Sequence, residues 1–315
     1  MLALPASPIA ARLAELVHIL IHKVAHRNWV QAKVVRATFM SGSNACHRIP
    51  YGAMERALFC LLPWVQCAAK RVLLALVLAL AGNTVHAVEL VVSAASSLSD
   101  AFRSVVQGYE ARHPYVRLRL NFGGSGSLLR QLAQGAPVDV LAMADQETMD
   151  AASAQGLVLA TSRRNFAGNA LALVAPAYSK LVVPRLEALV QPGVQRFAIG
   201  NVESVPAGRY ARQALDAARL WPQLQSRAIL VQNVRQALDY VARGEVDAGF
   251  VYATDALLAK GKVRVLLQLA PATPITYPVA VAAGSAHTAE ARRFVEYLLE
   301  PDAQAVLASY GFRKP

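Results

Sequence analysis

At four places in the chain, small or hydroxyl-bearing residues stand where a helical pattern begins, and each could hold an anion. The first is Ser93-Ala94-Ala95-Ser96-Ser97, between a β-rich apolar run at residues 90–92 and an amphipathic stretch at 98–111. The second is Gly123-Gly124-Ser125-Gly126-Ser127, ahead of a helical pattern over 127–134 that Ser127 is placed to cap. In the third, Pro206 suits a first helical position and Ala207 and Gly208 follow with little side chain in the way. In the fourth, Asn233 is a good N-cap and Val234 falls in the first turn. The first N–H groups of a helix have no partner within it, and that end carries roughly half a positive charge. An anion is favoured there, and the hydroxyls of Ser97 and Ser125 add donors.

Donors of this kind are neutral. They suit a fully deprotonated dianion, because a protonated oxyanion needs an acceptor and none of the four loops has a carboxylate at its tip. Asp100 and Glu203 are the nearest acids, and both read as solvated residues near helix ends. The glycines at 123, 124 and 126 allow unusual backbone angles and a close approach. The segment is not a phosphate loop, since no Gly-Lys-Ser/Thr follows, and it is not a Gly-x-Ser-x-Gly elbow. A serine hydrolase is the enzymatic alternative, with Ser97 or Ser125 as nucleophile and a histidine as base. From residue 88 onward the histidines are His113 and His287, both in polar loop-like settings away from the four helix starts. Tyr252, taken alone, reads as a buried tyrosine at a strand end whose hydroxyl is satisfied elsewhere.

The elements that position these residues alternate. Short β-rich runs at 90–92, 116–122, 138–142, 170–175, 197–200, 228–231, 248–252 and 263–267 are separated by helical patterns at 98–111, 127–134, 207–220 and 234–243. This is α/β grammar with mostly parallel sheets. Crossings between two lobes are expected at 168–170 and 275–278, giving one lobe from 88–169 and 276–315 and another from 170–275, with a cleft between.

Composition agrees with a packed protein: of 315 residues, 55% are hydrophobic and 17% charged. The net charge of +12 is uneven, with 9 Lys and Arg against 2 acids in residues 1–87 and 23 against 18 thereafter. No basic block marks the second part, so nucleic acid is not an expected partner. Lys70 and Arg71, an apolar run at 72–82 and then Val85-His86-Ala87 have the three parts of a secretory signal peptide, expected over 65–87 with cleavage after Ala87. Residues 1–64 read as a non-native or mis-called upstream extension, with Met54 or Val65 near the true start. They hold His18, His22 and His26 on one helical face, and with the signal segment all three cysteines, Cys46, Cys60 and Cys67, in no zinc spacing. The mature chain is then cysteine-free, which excludes disulfides and a lipobox anchor.

Many ordered blocks carry a resemblance. SAASSLSDAF, NFGGSGSLLRQLAQGAPVDVLAMADQETMD, GNALALVAP, VPAGRYARQAL, NVRQALDYVARGEVDAGFVYATDA, YPVAV and YGF make residues 88–315 similar to the periplasmic molybdate-binding proteins of molybdate ABC importers. The resemblance implies a two-lobed periplasmic-binding-protein fold that closes on a tetrahedral oxyanion, molybdate and also tungstate. It implies contacts from Ser97, Ser125, the backbone at Ala207 and Val234, and the Tyr252 hydroxyl, all to oxygens and none to the metal. Ser96, where alanine is common in the family, is the alternative hydroxyl in the first loop. It also implies a periplasmic monomer without a cofactor, partnered by a membrane permease. Sulfate or phosphate is the alternative ligand class.

Overall fold

A computed structural model of the chain describes residues 87–269 and 273–315. The upstream segment and the expected signal peptide as far as His86 lie outside the described residues. Val88–Ala95 (β1) lies parallel to Val116–Gly123 (β2) and Val140–Ala142 (β3). Arg164–Asn169 (β4) and Ile275–Val281 (β10) complete this sheet, in the order β2-β1-β3-β10-β4. A second sheet has the order β7-β6-β8-β5-β9, from Leu171–Pro176 (β5), Phe197–Gly200 (β6), Ala228–Val231 (β7), Ala248–Tyr252 (β8) and Val263–Leu269 (β9).

Both sheets are mixed, and in each of them four of the five strands run the same way, as expected, with one strand against them. β10 runs antiparallel to β3 and β4, and β5 runs antiparallel to β8 and β9. Connectivity explains this. The chain leaves the first sheet through β4, enters the second through β5 after Ala170 alone, and returns from β9 to β10. Two crossings made in opposite directions place the strands that make them antiparallel. Residues 275–278, expected as the return crossing, are already paired with β4. Pro278 disguised that strand, since a proline cannot donate to a ladder and is confined to edges and bulges. Here the register shifts between Tyr277 and Pro278, which absorbs the missing donor.

Helices cover the sheets. Ser99–Arg112 (α1) buries Ala101, Phe102, Val105, Val106 and Tyr109, an i, i+1, i+4, i+5, i+8 stripe. Phe102 meets Phe166 at 5.7 Å and Phe294 at 6.4 Å between ring centroids. Phe294 comes from Thr288–Tyr297, one of two C-terminal helices that return to the first sheet. In the second sheet Phe197 and Phe250 pack edge to face at 5.9 Å. A buried side chain of this size contributes about 1.5–3 kcal/mol, so these contacts fix the first sheet against its helices and tie β6 to β8 in the second.

Candidate functional site: a donor-lined cavity at the strand ends

The C-terminal ends of β1, β2, β6, β7 and β8 converge on one small cavity. It is bordered by Ser97 and Ser125 from one sheet's side and by Ala207, Val234 and Tyr252 from the other. All five residues expected from the sequence are therefore together, with Ser96, Gly124 and Asn233 also in the wall. The cavity is small, with a volume of about 10 Å³. No charged side chain lines it. A roomier depression bordered by Leu257, Lys260, Val265 and Gln268 gathers none of the five.

Each donor is set by its local fold. Gly124 precedes Ser125–Ala133 (α2) in extended conformation, and Ser125 is the first helical residue, fully buried. Its Oγ accepts the Ala144 N–H at 3.1 Å, which leaves the hydroxyl proton to donate elsewhere. Pro206–Ala217 (α4 in chain order, after Gln146–Ala154, α3) starts with proline in the first turn. A Cβ on Gly208 would lie 2.0 Å from the Gly200 carbonyl oxygen, so glycine alone lets this helix start against the end of β6. Val234–Ala242 (α5) is capped by Asn233, whose side chain accepts the Gln236 N–H at 3.1 Å. Among the described residues, no acceptor pairs with the backbone N–H of Ser125, Ala207 or Val234, as first-turn positions predict.

The tyrosines are more telling. Tyr252 is 1% exposed and its hydroxyl has no partner among the described residues, although the sequence alone suggested one elsewhere. Burial raises its pKa well above the ordinary value, so it remains a proton donor. The Ser97 Oγ, also buried, lies 3.0 Å from the hydroxyl of Tyr277, whose ring is 5.8 Å from that of Tyr252.

A family model of bacterial extracellular solute-binding proteins matches residues 90–313. The chain belongs to that family. It is 34% identical over 246 residues to the molybdate-binding protein ModA of Escherichia coli, spanning 76% of this chain and 94% of that one. It is 35% identical over 236 residues to ModA of Mycobacterium bovis, spanning 75% and 88%. The periplasmic molybdate-binding protein of Azotobacter vinelandii superposes with a TM-score of 0.65 at 25% identity, covering 72% of this chain and 99% of that one. Membership makes the chain a transport protein and not a catalyst. Neither histidine borders the cavity: His113 ends α1 against Tyr109, and His287 precedes a C-terminal helix.

Two arginines of this solute-binding protein flank the cavity without entering it, and sequence reasoning passed over both. Arg235, directly after Val234, donates to the Ser96 and Ser97 carbonyls at 3.3 and 3.2 Å and lies 3.1 Å from Asp100. Asp100 is thus an ion-pair partner across the cleft, not merely a solvated residue. Arg235 also lies 3.1 Å from Asp255 Oδ1, close enough for an ion pair but not aligned as a hydrogen bond. Burial is the main cause that raises Asp255 to a pKa of about 6, with Arg235 acting in the opposite direction. On the other flank Arg209 pairs with Asp145 and donates to Thr148 Oγ1 at 2.7 Å. The signal was in the sequence: each arginine follows a cavity residue by one or two positions.

Two local expectations change. Ser127 does not cap α2 but lies inside it, accepting from Arg130 at 3.1 Å. Glycines 123, 124 and 126 are not among those with positive φ. They serve close approach instead: a Cβ on Gly124 would lie 2.7 Å from the Gln232 carbonyl, and one on Gly126 would lie 2.8 Å from Ser204 Cα. The Gly126 N–H also donates to the Ser204 carbonyl at 2.9 Å. Bare backbone is what lets the two sides meet.

Proposed function

We propose that this protein captures molybdate, and also tungstate, in the donor-lined cavity and delivers it to the permease of an ABC importer. The observation that carries the proposal is the unpaired, buried Tyr252 hydroxyl in a wall of neutral donors. Buried polar groups are nearly always paired, so an orphan facing a cavity calls for a ligand that accepts. A tetrahedral dianion accepts from every wall. Ser97 and Ser125 donate by hydroxyl, Ala207 and Val234 by backbone N–H, and Tyr252 by phenol. Without a carboxylate in the wall, a protonated phosphate has no acceptor for its proton, which favours fully deprotonated ions. The bonds of sulfate are shorter than those of molybdate, so discrimination between the two rests on the size of the cavity. The relatives named for molybdate binding support the same ligand. In this reading the chain works in the periplasm as a monomer, exported by a signal peptide cleaved after Ala87. The two lobes, residues 88–169 with 276–315 and 170–275, close by hinge motion at their crossings.

Calorimetric titration of the purified protein with molybdate, tungstate, sulfate and phosphate tests this. Tight binding of the first two alone is the expected result. A response to sulfate or phosphate alone would move the ligand, and silence from all four would overturn the proposal.

A further inference from the structure

Behind the cavity lies a hydrogen-bond chain that none of the five contact residues explains. Asn169, the last residue of β4, sits at the crossing between the sheets and is buried. Its side-chain Oδ1 accepts the N–H of Ala170 at 2.9 Å. That contact fixes which way the amide faces, because turning it over would set two donors against each other. Its Nδ2 therefore points the other way, donating to Thr254 Oγ1 at 2.9 Å and to the Tyr277 hydroxyl at 3.2 Å. Tyr277 is fully buried on β10, and its only other polar neighbour among the described residues is Ser97 Oγ at 3.0 Å.

The direction of each bond now follows. The Tyr277 oxygen already accepts from Asn169, so its single proton must go to Ser97 Oγ or stay buried and unpaired, which is unfavourable. Once Ser97 accepts from Tyr277, its own proton is free for the cavity it borders. We infer that Asn169 and Tyr277 are positioning residues that hold the Ser97 hydroxyl as a donor toward the ligand, and so contribute to the choice of a fully deprotonated oxyanion. A serine free to rotate can also accept, and would then meet a protonated oxyanion on equal terms. The relay begins at the crossing and is anchored on both sides of it, through Tyr277 of the first sheet and Thr254 beside the second. The donor that faces the ligand is in this way oriented by the segment that must bend when the cleft opens. The inference rests on the proposed molybdate site.

Asn169→Asp tests it, since the carboxylate is nearly isosteric, still accepts from the Ala170 N–H, and reverses the bonds to Thr254 and Tyr277. The new carboxylate would accept from Tyr277, Tyr277 would accept from Ser97, and the Ser97 lone pairs would face the anion. Molybdate affinity is measured by calorimetry for the full protein, Ser97→Ala, Asn169→Asp and the double variant, with a thermal melt of each. A buried carboxylate repels the ligand in either background, so the coupling between the two sites is what decides. The factor by which Asn169→Asp weakens binding should be about tenfold greater with Ser97 present than in the Ser97→Ala background, the worth of one charge-assisted hydrogen bond. Equal factors in both backgrounds would overturn the relay and leave Asn169 a structural residue. If Asn169→Asp does not fold, Tyr277→Phe takes its place. It should weaken binding about threefold through loss of the hydroxyl's orientation, and have no effect on the Ser97→Ala protein. An effect that persists there would overturn the relay too. Molybdate binding lost only by the variants bears on the relay, whereas its absence from the unaltered protein refutes the proposed function itself. Unchanged affinity in Ser97→Ala would refute the relay by removing its endpoint.

Discussion

Tyr252→Phe separates a ligand-binding hydroxyl from a structural one. The substitution deletes one oxygen and leaves the ring, with its packing against Tyr277, in place. That oxygen is buried and makes no bond among the described residues, so its deletion breaks none of the bonds described. It removes a desolvation cost of about 1–3 kcal/mol, or close to zero where the parted lobes let water reach it. For a domain of this size, with a change of roughly 2–4 °C per kcal/mol, the ligand-free melting temperature should stay constant or rise by a few degrees. Binding moves the other way. A hydrogen bond to a charged acceptor is worth about 1.5–3 kcal/mol, which is about 10- to 150-fold in affinity. The expected pair is thus weaker molybdate binding by calorimetry and an undiminished melting curve without ligand. A variant that melts several degrees lower and binds as tightly as before would refute the reasoning, since the hydroxyl would then have been supporting the fold.

Other perturbations divide the site into parts. Ser125→Ala keeps the fold apart from the bond that Ser125 Oγ accepts from Ala144, and should weaken molybdate by roughly tenfold in the same titration. Gly126→Ala places a methyl group 2.8 Å from Ser204 Cα. The cheapest relief is incomplete closure, so affinity should fall with little loss of ligand-free stability, and X-ray scattering with molybdate present should show a more open molecule. Arg209→Ala removes a bridge to Asp145 and Thr148 and should mainly speed dissociation, read by stopped-flow displacement, with association little changed. Asp255, whose pKa is raised to about 6 in the fold, is held charged at a cost above that pH. Stability from this group should be greatest below about pH 4 and fall as pH rises toward 6, by about 1.4 kcal/mol for each pH step of one crossed between those values. It should be flat above pH 6, and Asp255→Asn should abolish the fall in denaturant titrations across that range.

The sequence showed the alternation of elements and the helix starts that share a cavity, and missed what distant pairing decides. Ser97, Ser125, Ala207 and Val234 lie on one cavity because each sits where a strand ends and a helix begins, and helix-start chemistry is local enough to see in a single chain, whereas Tyr252 came only through the resemblance. Strands rich in branched or aromatic residues, such as 228–231 and 248–252, were legible for the same reason. What stayed hidden depends on distant pairing. β4, reading Arg-Asn-Phe-Ala-Gly-Asn, has no branched residue and is a strand only because β10 lies beside it. β10 was masked by Pro278, which a bulge accommodates. α3 is low in apolar residues, and its start is marked only by Asp145 accepting the Thr148 N–H at 3.3 Å. The resemblance aligned contact residues but was silent on Asn169 and Tyr277, which act from behind the wall.

The placement of charge explains why the cavity wall is neutral. An arginine facing the cavity would be a buried, unpaired cation whenever the ligand was absent, costing several kcal/mol. Any small anion able to enter would relieve that cost, so a charged wall would reward charge more than shape. In this protein the nearby guanidiniums are already committed, Arg235 to Asp100 and Asp255 and Arg209 to Asp145. They draw the two sides together and stay out of the ligand's reach. What remains for the anion is a set of dipoles and hydroxyls, each weak, fixed in direction and inexpensive to leave unfilled. Such a wall returns little to an ion that touches two or three donors. It returns the full amount only to one whose oxygens reach both sides of the cleft at once, so selection by size and closure of the lobes become the same event.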